Sequence, residues 1–483
     1  GGLIAMFVMQ KKDTFIRKFG EIGYITSQLT RKDRVYDAAG HLFLSVISRS
    51  PRPLRSMVDD LLSIFVGVSE EELTADLTDF VLDLEADGFL VTGDTQDDAI
   101  ANDHGFSYAV ESPKTLALRL MGQDRNPGLP ASDNVMMDYF RNHPTVFGIH
   151  VEVTSRCNEK CVHCYQAPET RRDMDMALAL SLMDQLAEAG TLSITFSGGE
   201  PTVHPKFAEI LRMARSRDMI ISVLSNGLNF SDELLSAFLE VNLNMCQISL
   251  YSMVPSIHDA ITGVPGSHAR TLATIERLIA LDIPVQVSCP IMRLNKDSYV
   301  EVASWCSDRR IRVMSDFVMI ARSNFDKSNL AERISIEETG QVIQDILKAD
   351  EVYHMQLDTE PRTRDLEWFS RQPVCGVCID NACITSGGTL YPCSGFQNYP
   401  LGNISTQTLN DIWLHSEAVN RLRSITNASF PKCLKCEARD FCIMCLVRNF
   451  NESGGDMFAV AEHFCQVAFL NKNLVEKWRQ AHV

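Results

Sequence analysis

The chain has 483 residues, room for two or three domains, and carries 45 Lys and Arg against 62 Asp and Glu, a formal net charge of −17. That acidic balance, with no basic block, repels phosphate backbones and argues against a nucleic-acid partner; no apolar run approaches the roughly eighteen residues that span a bilayer, so no membrane association is expected. Fifteen cysteines with no export signal (Leu3 to Met9 is too short and uncharged for one) point to metal ligation in a cytoplasmic protein rather than to disulfides.

Residues 1–93 read as a module of their own. Strands are expected at 15–19, 24–29 and 34–36, separated by Gly20, Gly23 and charged turns. Helices follow at 38–48 and 56–65. A third opens on a capping box, Ser69 with Glu72, and closes at Gly88, with Leu73, Leu77, Phe80, Val81 and Leu84 on one face. The default reading is a winged-helix-like bundle whose apolar stripe is its core. Its acidic third helix, with Glu70 to Glu72, Asp76, Asp79, Asp83, Glu85 and Asp87, speaks against DNA. The module resembles instead the PqqD-like domain that recognises the leader of a ribosomally made precursor peptide. That resemblance implies a leader bound as an added strand beside the third helix. Residues 94–145, first Asp-rich and then Pro/Gly-rich, read as a linker with a helix at 112–121.

From 146 to 325 apolar strands and amphipathic helices alternate. Strands are expected at 147–154, 192–196, 220–224, 245–249, 285–287 and 313–320, with helices at 176–189, 206–217, 232–240, 267–281 and 299–308. Six such units make an α/β fold with a parallel sheet closed partway into a (β/α)6 barrel. Chemistry in such sheets gathers at the C-terminal strand ends, where Cys157, Gly198, Ser225, Asn226, Gly227, Ser249, Tyr251, Ser252 and Asn295 fall.

The first of those ends carries Cys157-x3-Cys161-x2-Cys164. Three thiols so spaced can wrap three irons of a 4Fe–4S cube and leave the fourth open; a zinc loop or three unrelated thiols is the plainer alternative. About thirty-five residues on, the second strand runs into Gly198-Gly199-Glu200-Pro201, where paired glycines allow close backbone approach to a ligand. Together these motifs resemble the radical S-adenosylmethionine (SAM) superfamily, over about 147–465. The resemblance implies a cluster on Cys157, Cys161 and Cys164, with SAM chelating the open iron. It also implies SAM contacts from His163, Tyr165, Gly198, Gly199, Glu200, Pro201, Ser225, Asn226, Ser249 and Asn295. For each single polar residue among these, turn capping is the competing reading.

A helical bridge is expected over 326–372, and nine of the fifteen cysteines lie beyond it. Cys375, Cys378, Cys383 and Cys393 surround a Gly387-Gly388 hairpin; Cys433-x2-Cys436-x5-Cys442-x2-Cys445 follows, then Cys465. Two zinc knuckles would fit this spacing alone. Behind the radical SAM motifs, 373–483 resembles a SPASM domain with two auxiliary 4Fe–4S clusters, making three in all. The resemblance assigns Cys433, Cys436, Cys442 and Cys465 to one auxiliary cluster and Cys393 and Cys445, with Cys375 and Cys378, to the other. Cys383 is a spare candidate, and two residues rather than the usual three separate Cys442 from Cys445. Cys246, Cys289 and Cys306 read as small apolar core residues.

The activity implied is modification of a precursor peptide through a 5′-deoxyadenosyl radical, with a flavodoxin- or ferredoxin-type reductant. A Cys thioether is the leaning; carbon–carbon or carbon–oxygen links are the alternatives. A sulfatase-maturing enzyme is a rival, weakened because Ser394 stands where that branch has an Asp. An iron–sulfur or zinc scaffold is the non-enzymatic rival.

Overall fold

The computed structural model describes residues 6–104, 132–167, 171–317, 319–349, 365–442 and 444–481. The expected helix at 112–121 and much of the expected bridge, 350–364, lie outside them. Strand β1 (Phe7–Gln10) falls in a stretch where no element is expected. It is the middle strand of a three-stranded antiparallel sheet, between β5 (Arg52–Pro53) and β6 (Leu90–Gly93), with Val8 and Met9 buried. A second antiparallel sheet is the expected meander: β2 (Thr14–Phe19), β3 (Ile22–Ser27) and β4 (Asp33–Tyr36).

Helices Ala38–Ser45, Leu54–Leu62 and Glu70–Ala86 complete the module. In the last, the Glu72 N–H donates to the Ser69 hydroxyl at 3.1 Å, satisfying one of the orphan donors of the first turn. Leu73, Leu77, Val81 and Leu84 are buried in the module's core. Phe80 is displaced to its edge, meeting the Tyr36 ring at 5.0 Å and the Phe43 ring at 5.3 Å. That contact seats β4 along the third helix. β4, like β2 at the other side of the same sheet, is an edge strand with a strand partner on one side among the described residues.

The module is not a separate bead. Phe15, Phe19 and Tyr24 join Met136, Phe140, Leu192 and Ile379 in one buried cluster, so helix Ser132–Asn142, expected as linker, is packing material. Phe19 meets Phe140 at 5.4 Å and Phe147 at 5.7 Å. Beside it Arg17 donates to the carbonyls of Thr191 and Asp218 and, at 3.2 Å, to the Asp218 carboxylate, which Arg49 also holds at 2.6 Å. Burial lowers the Arg17 pKa, and the adjoining Asp218 offsets it.

The six expected parallel strands pair in chain order: β7 (Gly148–Thr154), β8 (Ser193–Gly198), β9 (Ile220–Ser225), β10 (Met245–Ser249), β11 (Val285–Ser288) and β12 (Arg312–Met314). The last is much shorter than 313–320. Helices Met176–Glu188, Phe207–Ser216, Asp232–Glu240, Ser267–Ala280 and Tyr299–Asp308 match their expected spans closely; Pro255–Thr262, opening on Pro at its first turn, is unforeseen. On β7 the residues Ile149, Val151 and Val153 enter the apolar layer with Leu182, Leu186, Ile210 and Leu211. Alternation therefore turns His150, Glu152 and Thr154 to the barrel's inner side.

The C-terminal hairpin extends this same sheet. β13 (Asn381–Ile384) pairs in parallel with the free edge of β7, Cys383 opposite His150, and β14 (Thr389–Tyr391) and β15 (Gly402–Asn403) follow antiparallel. Covering the β7 edge also removes an open ladder. Further along, Asn451 donates to the carbonyls of Ala321 and Gly395, and Arg333 pairs with Glu452. Helices Ile336–Ala349 and Glu462–Ala481 pack through Ile343, Leu347 and Val475. Among the described residues no helix is long and apolar enough to cross a membrane.

Replacing Arg17 by Ala leaves the carbonyls of Ile16, Thr191 and Asp218 and the Asp218 carboxylate each one donor short, which should cost about 2–3 kcal/mol. Circular dichroism in a urea series should show the first transition moved to lower denaturant. An unmoved transition would mean the aromatic cluster alone holds the module.

Candidate active site

Residues 154–165 leave the C-terminal end of β7 as a loop held at both limbs. At its root the Ser155 N–H donates to the Arg172 carbonyl (2.9 Å), Thr154 Oγ1 donates to Asp173 Oδ1 (2.7 Å), and Arg156 grips Asp173 through two bonds of 2.9 and 2.7 Å. On the far limb the N–H groups of Lys160 and Val162 donate to the carbonyls of Thr262 (2.9 Å) and Ile261 (3.0 Å), at the end of the unforeseen helix.

Between these limbs Cys157, Cys161 and Cys164 face one another. Burial pushes all three thiols up, Cys157 to about 12, and negative charge adds to this, from Glu200, Glu159 and then Cys164 for Cys157 and from Glu159 and then the other two thiols for Cys161; burial is likewise the first cause for Cys164. Three thiolates here therefore call for bound cations. Among the described residues no three His, Cys, Asp or Glu side chains come close enough to share one metal ion. A cluster with one iron per thiolate holds its ligands farther apart than a single zinc does. Asn158 Nδ2, Glu159 Oε1 and His163 Nδ1, all in this loop, are buried without a partner. Orphaned polar atoms beside three thiols fit a polar ligand seated against the loop.

The Gly198-Gly199-Glu200-Pro201 turn presses on the root of the loop. The Gly199 N–H donates to the Thr154 carbonyl and the Glu200 N–H to the Arg156 carbonyl, both at 2.8 Å. A Cβ on Gly198, at φ +147°, would sit 2.1 Å from the Thr154 oxygen, and one on Gly199 would sit 2.3 Å from the Arg156 oxygen. The paired glycines thus serve close approach to the chain's own cysteine loop, where the sequence suggested approach to a ligand. Pro201 starts a short 3-10 turn immediately behind.

Glu200 is fully occupied by the protein. Its Oε1 accepts from the Thr202 N–H (3.1 Å), Thr202 Oγ1 (2.7 Å) and Ser225 Oγ (2.7 Å), and its Oε2 from the Asn226 N–H (2.8 Å). Burial pushes its pKa up, and these donors oppose the rise. Ser225 thus spends its hydroxyl on Glu200, while Asn226 Nδ2 donates to Asn158 Oδ1 at 2.7 Å. The carboxylate ties the ends of β8 and β9 together, and Asn226 ties β9 to the cysteine loop.

Of the other expected contacts, Asn295 departs most from expectation. It is buried, its amide donates to the carbonyls of Tyr251 (2.8 Å) and Pro290 (3.0 Å), and its oxygen accepts from the Met292 N–H (2.8 Å). Its side chain closes its own turn through Pro290 and Met292 and joins that turn to the loop after β10 through Tyr251, so its polar atoms are spent within the protein. Ser249 is hydrogen-bonded to the Tyr251 hydroxyl. Tyr251, expected at a strand end but with no ligand assigned to it, meets His163 edge-on at 5.1 Å and places its hydroxyl 4.0 Å from Cys161 Sγ. Burial lowers His163 to about 4, so its ring is neutral. Tyr165 turns away from the loop, and its buried hydroxyl bonds Ser394 in the C-terminal region.

The C-terminal thiols gather in two groups. Cys433, Cys436, Cys442 and Cys465 lie near enough for their charges to interact, after burial, as a set. Cys375, Cys378, Cys393 and Cys445 form the other. Cys383 is buried on β13, feeling Glu152 as well as Cys393. Cys246, Cys289 and Cys306 are buried in the apolar core, as expected.

A parallel sheet with a three-thiol loop at the end of its first strand defines a radical SAM fold. Residues 151–306 match the radical SAM superfamily, and residues 375–437 match the SPASM model, an iron–sulfur cluster-binding domain. The chain is a radical SAM enzyme with a SPASM region, and its cofactors are SAM and 4Fe–4S clusters. It is similar to the PqqA peptide cyclase of Methylobacterium nodulans, 24% identical over 62% of this chain and 80% of that one. It is also similar to the AdoMet-dependent heme synthase of Methanosarcina barkeri, 23% identical over 63% and 92%. Streptococcus suis SuiB bound to its precursor peptide SuiA shares the fold at TM-score 0.60 and 14% identity, covering 94% of this chain and 99% of SuiB. The structure of anSMEcpe with bound AdoMet matches at TM-score 0.55 and 14% identity, over 68% of this chain and 95% of that one.

Gly199→Ala should break the seam between turn and loop. Reconstituted under anaerobic conditions, the variant should lack about four irons relative to the parent while keeping its far-ultraviolet spectrum. Full iron content would show that the loop can retreat from the added methyl group.

Proposed function

We propose that the enzyme installs a crosslink in a ribosomally made precursor peptide. The observation that carries this reading is the joint presence of the thiol-rich site and an N-terminal module with a one-sided edge strand, β4, beside its third helix. Precursor recognition by strand addition needs such an edge. Two similar proteins support it by name: the PqqA peptide cyclase, and SuiB with its precursor peptide bound. Cys157, Cys161 and Cys164 would hold one 4Fe–4S cluster, Cys433, Cys436, Cys442 and Cys465 a second, and Cys375, Cys378, Cys393 and Cys445 a third. The first, with SAM, supplies hydrogen-atom abstraction from an unactivated carbon of the peptide.

The chain's own residues do the rest. Arg156 and Asp173 hold the loop, the Gly198–Gly199 turn sets its height, and Glu200 fixes the neighbouring strand ends. The orphaned polar atoms of Asn158, Glu159 and His163 would be the groups to receive SAM. Four thiols around the third position would leave no open iron for a substrate thiolate. That removes the argument for a Cys thioether over a carbon–carbon or carbon–oxygen link. Ser394, bonded to Tyr165, has no acid to offer, which disfavours the sulfatase-maturing reaction.

Reconstituted enzyme should hold about twelve irons and twelve sulfides. Cys161→Ala should abolish 5′-deoxyadenosine formation, whereas Cys436→Ala should cleave SAM yet crosslink little peptide. Stoichiometric zinc without sulfide would end the reading. For the leader, hydrogen exchange at residues 33–36 should slow on adding precursor peptide, because an added strand protects edge amides. Unchanged exchange there would assign the module another task.

A further inference from the structure

Nothing so far accounts for Glu152. It lies on β7 opposite Ser197 of β8 and is 4% exposed, on the barrel's inner side. Both of its hydrogen bonds arrive at one oxygen: Gln166 Nε2, two residues past Cys164, donates to Oε1 at 2.9 Å, and Gln397 Nε2, four past Cys393, donates to Oε1 at 2.6 Å. Among the described residues Oε2 accepts none. One glutamine comes from the SAM-cleaving half and the other from the C-terminal half, so the carboxyl stands at their junction with one oxygen held and the other left over.

We propose that Glu152 is the catalytic base of crosslinking, its Oε2 taking the proton released as the new bond closes. The inference rests on the peptide-crosslinking reading above. Joining two side chains removes two hydrogens from the peptide. One leaves as an atom to the SAM-derived radical, giving 5′-deoxyadenosine. The other would leave as a proton to Glu152, and the remaining electron would pass to an oxidised iron–sulfur cluster held by the C-terminal thiols.

A carboxyl buried without a cation is costly and is rarely a packing device. The titratable groups that face it are His150 on its own strand, Cys164 and Tyr165 from the cysteine loop, and Cys383 on β13, with no Lys or Arg among the causes acting on it. His150 is bonded to Ser197, and burial lowers it to about 4, so it brings no charge. Burial raises Glu152 to about 8, and the two amide bonds oppose the rise. A base so placed is stronger than an ordinary carboxylate and is active when ionised, at and above that pH. The paired glutamines orient it without neutralising it.

The experiment compares holoenzyme with Glu152→Gln and Glu152→Asp, reading crosslinked peptide per 5′-deoxyadenosine formed, from about pH 6 to 9. In the parent that ratio should rise with pH through an ionisation near 8. Glu152→Gln should lower it by about 100-fold and flatten the profile, and Glu152→Asp should restore part of it with a shifted ionisation. Carbon-13 glutamate labelling adds a readout free of turnover: the infrared carboxyl band missing from Glu152→Gln should titrate near the same pH. Glu152→Gln crosslinking within about threefold of the parent, with the same profile, would overturn the assignment. So would a parent whose Glu152 band is already ionised at pH 6, whether or not the variants fold. A parent that cleaves SAM but crosslinks no peptide would instead defeat the proposed function, a separate result.

Discussion

Two backbone hydrogen bonds hold the site together: Gly199 N–H to the Thr154 carbonyl and Glu200 N–H to the Arg156 carbonyl, each 2.8 Å long. They join the end of the second barrel strand to the root of the cysteine loop, and only residues without a Cβ can occupy the crossing. Glu200 extends the seam to β9 through Ser225 and Asn226, and Asn226 returns to the loop through Asn158. The cysteine loop is thus part of a ring of hydrogen bonds that runs across three strand ends. That ring makes a loop of three thiols a defined receptor rather than a flexible one.

The electrostatics of the site follow from burial. Glu152, Glu200 and the thiols of the cysteine loop sit where water is scarce, so the neutral form of each is favoured and its pKa rises, that of Cys157 to about 12 and that of Glu152 to about 8. Glu200 shows the stabilised case, with four donors on two oxygens. Glu152 shows the contrasting case, with two donors on one oxygen and the other turned to the inner face. The same residue type therefore has a structural role at the rim and a chemical one inside, decided by its donors.

The accessory parts are continuous with the barrel. β13 completes the edge of β7, so Cys383 is set by the same ladder whose next strand, β8, carries the turn under Cys157. Tyr165 and Gln166, just past Cys164, reach Ser394 and Glu152 across that junction. At the N-terminal ends of the barrel strands, Phe15, Phe19, Phe140 and Phe147 fuse the N-terminal module to the barrel. A peptide on β4 would be anchored to a body that cannot drift from the site.

Much of this was legible in the sequence. Apolar periodicity located the parallel strands and their helices, because each buries one face in one shared layer. Ser69 and Gly88 are local signals whose physics acts within a few residues, and the structure bears out the helix they mark. Three things stayed hidden. β1 is four residues long and gains its meaning only from β5 and β6, which are distant in the chain. Asn295, Ser225 and Asn226 looked like ligand contacts because strand ends host them, yet their partners are other loops that no spacing rule brings together. Glu152 read as one polar residue in an alternating strand. Only the folded barrel places it beside Gln166 and Gln397, since a buried carboxyl's chemistry depends on which donors reach it, and tertiary structure alone chooses those.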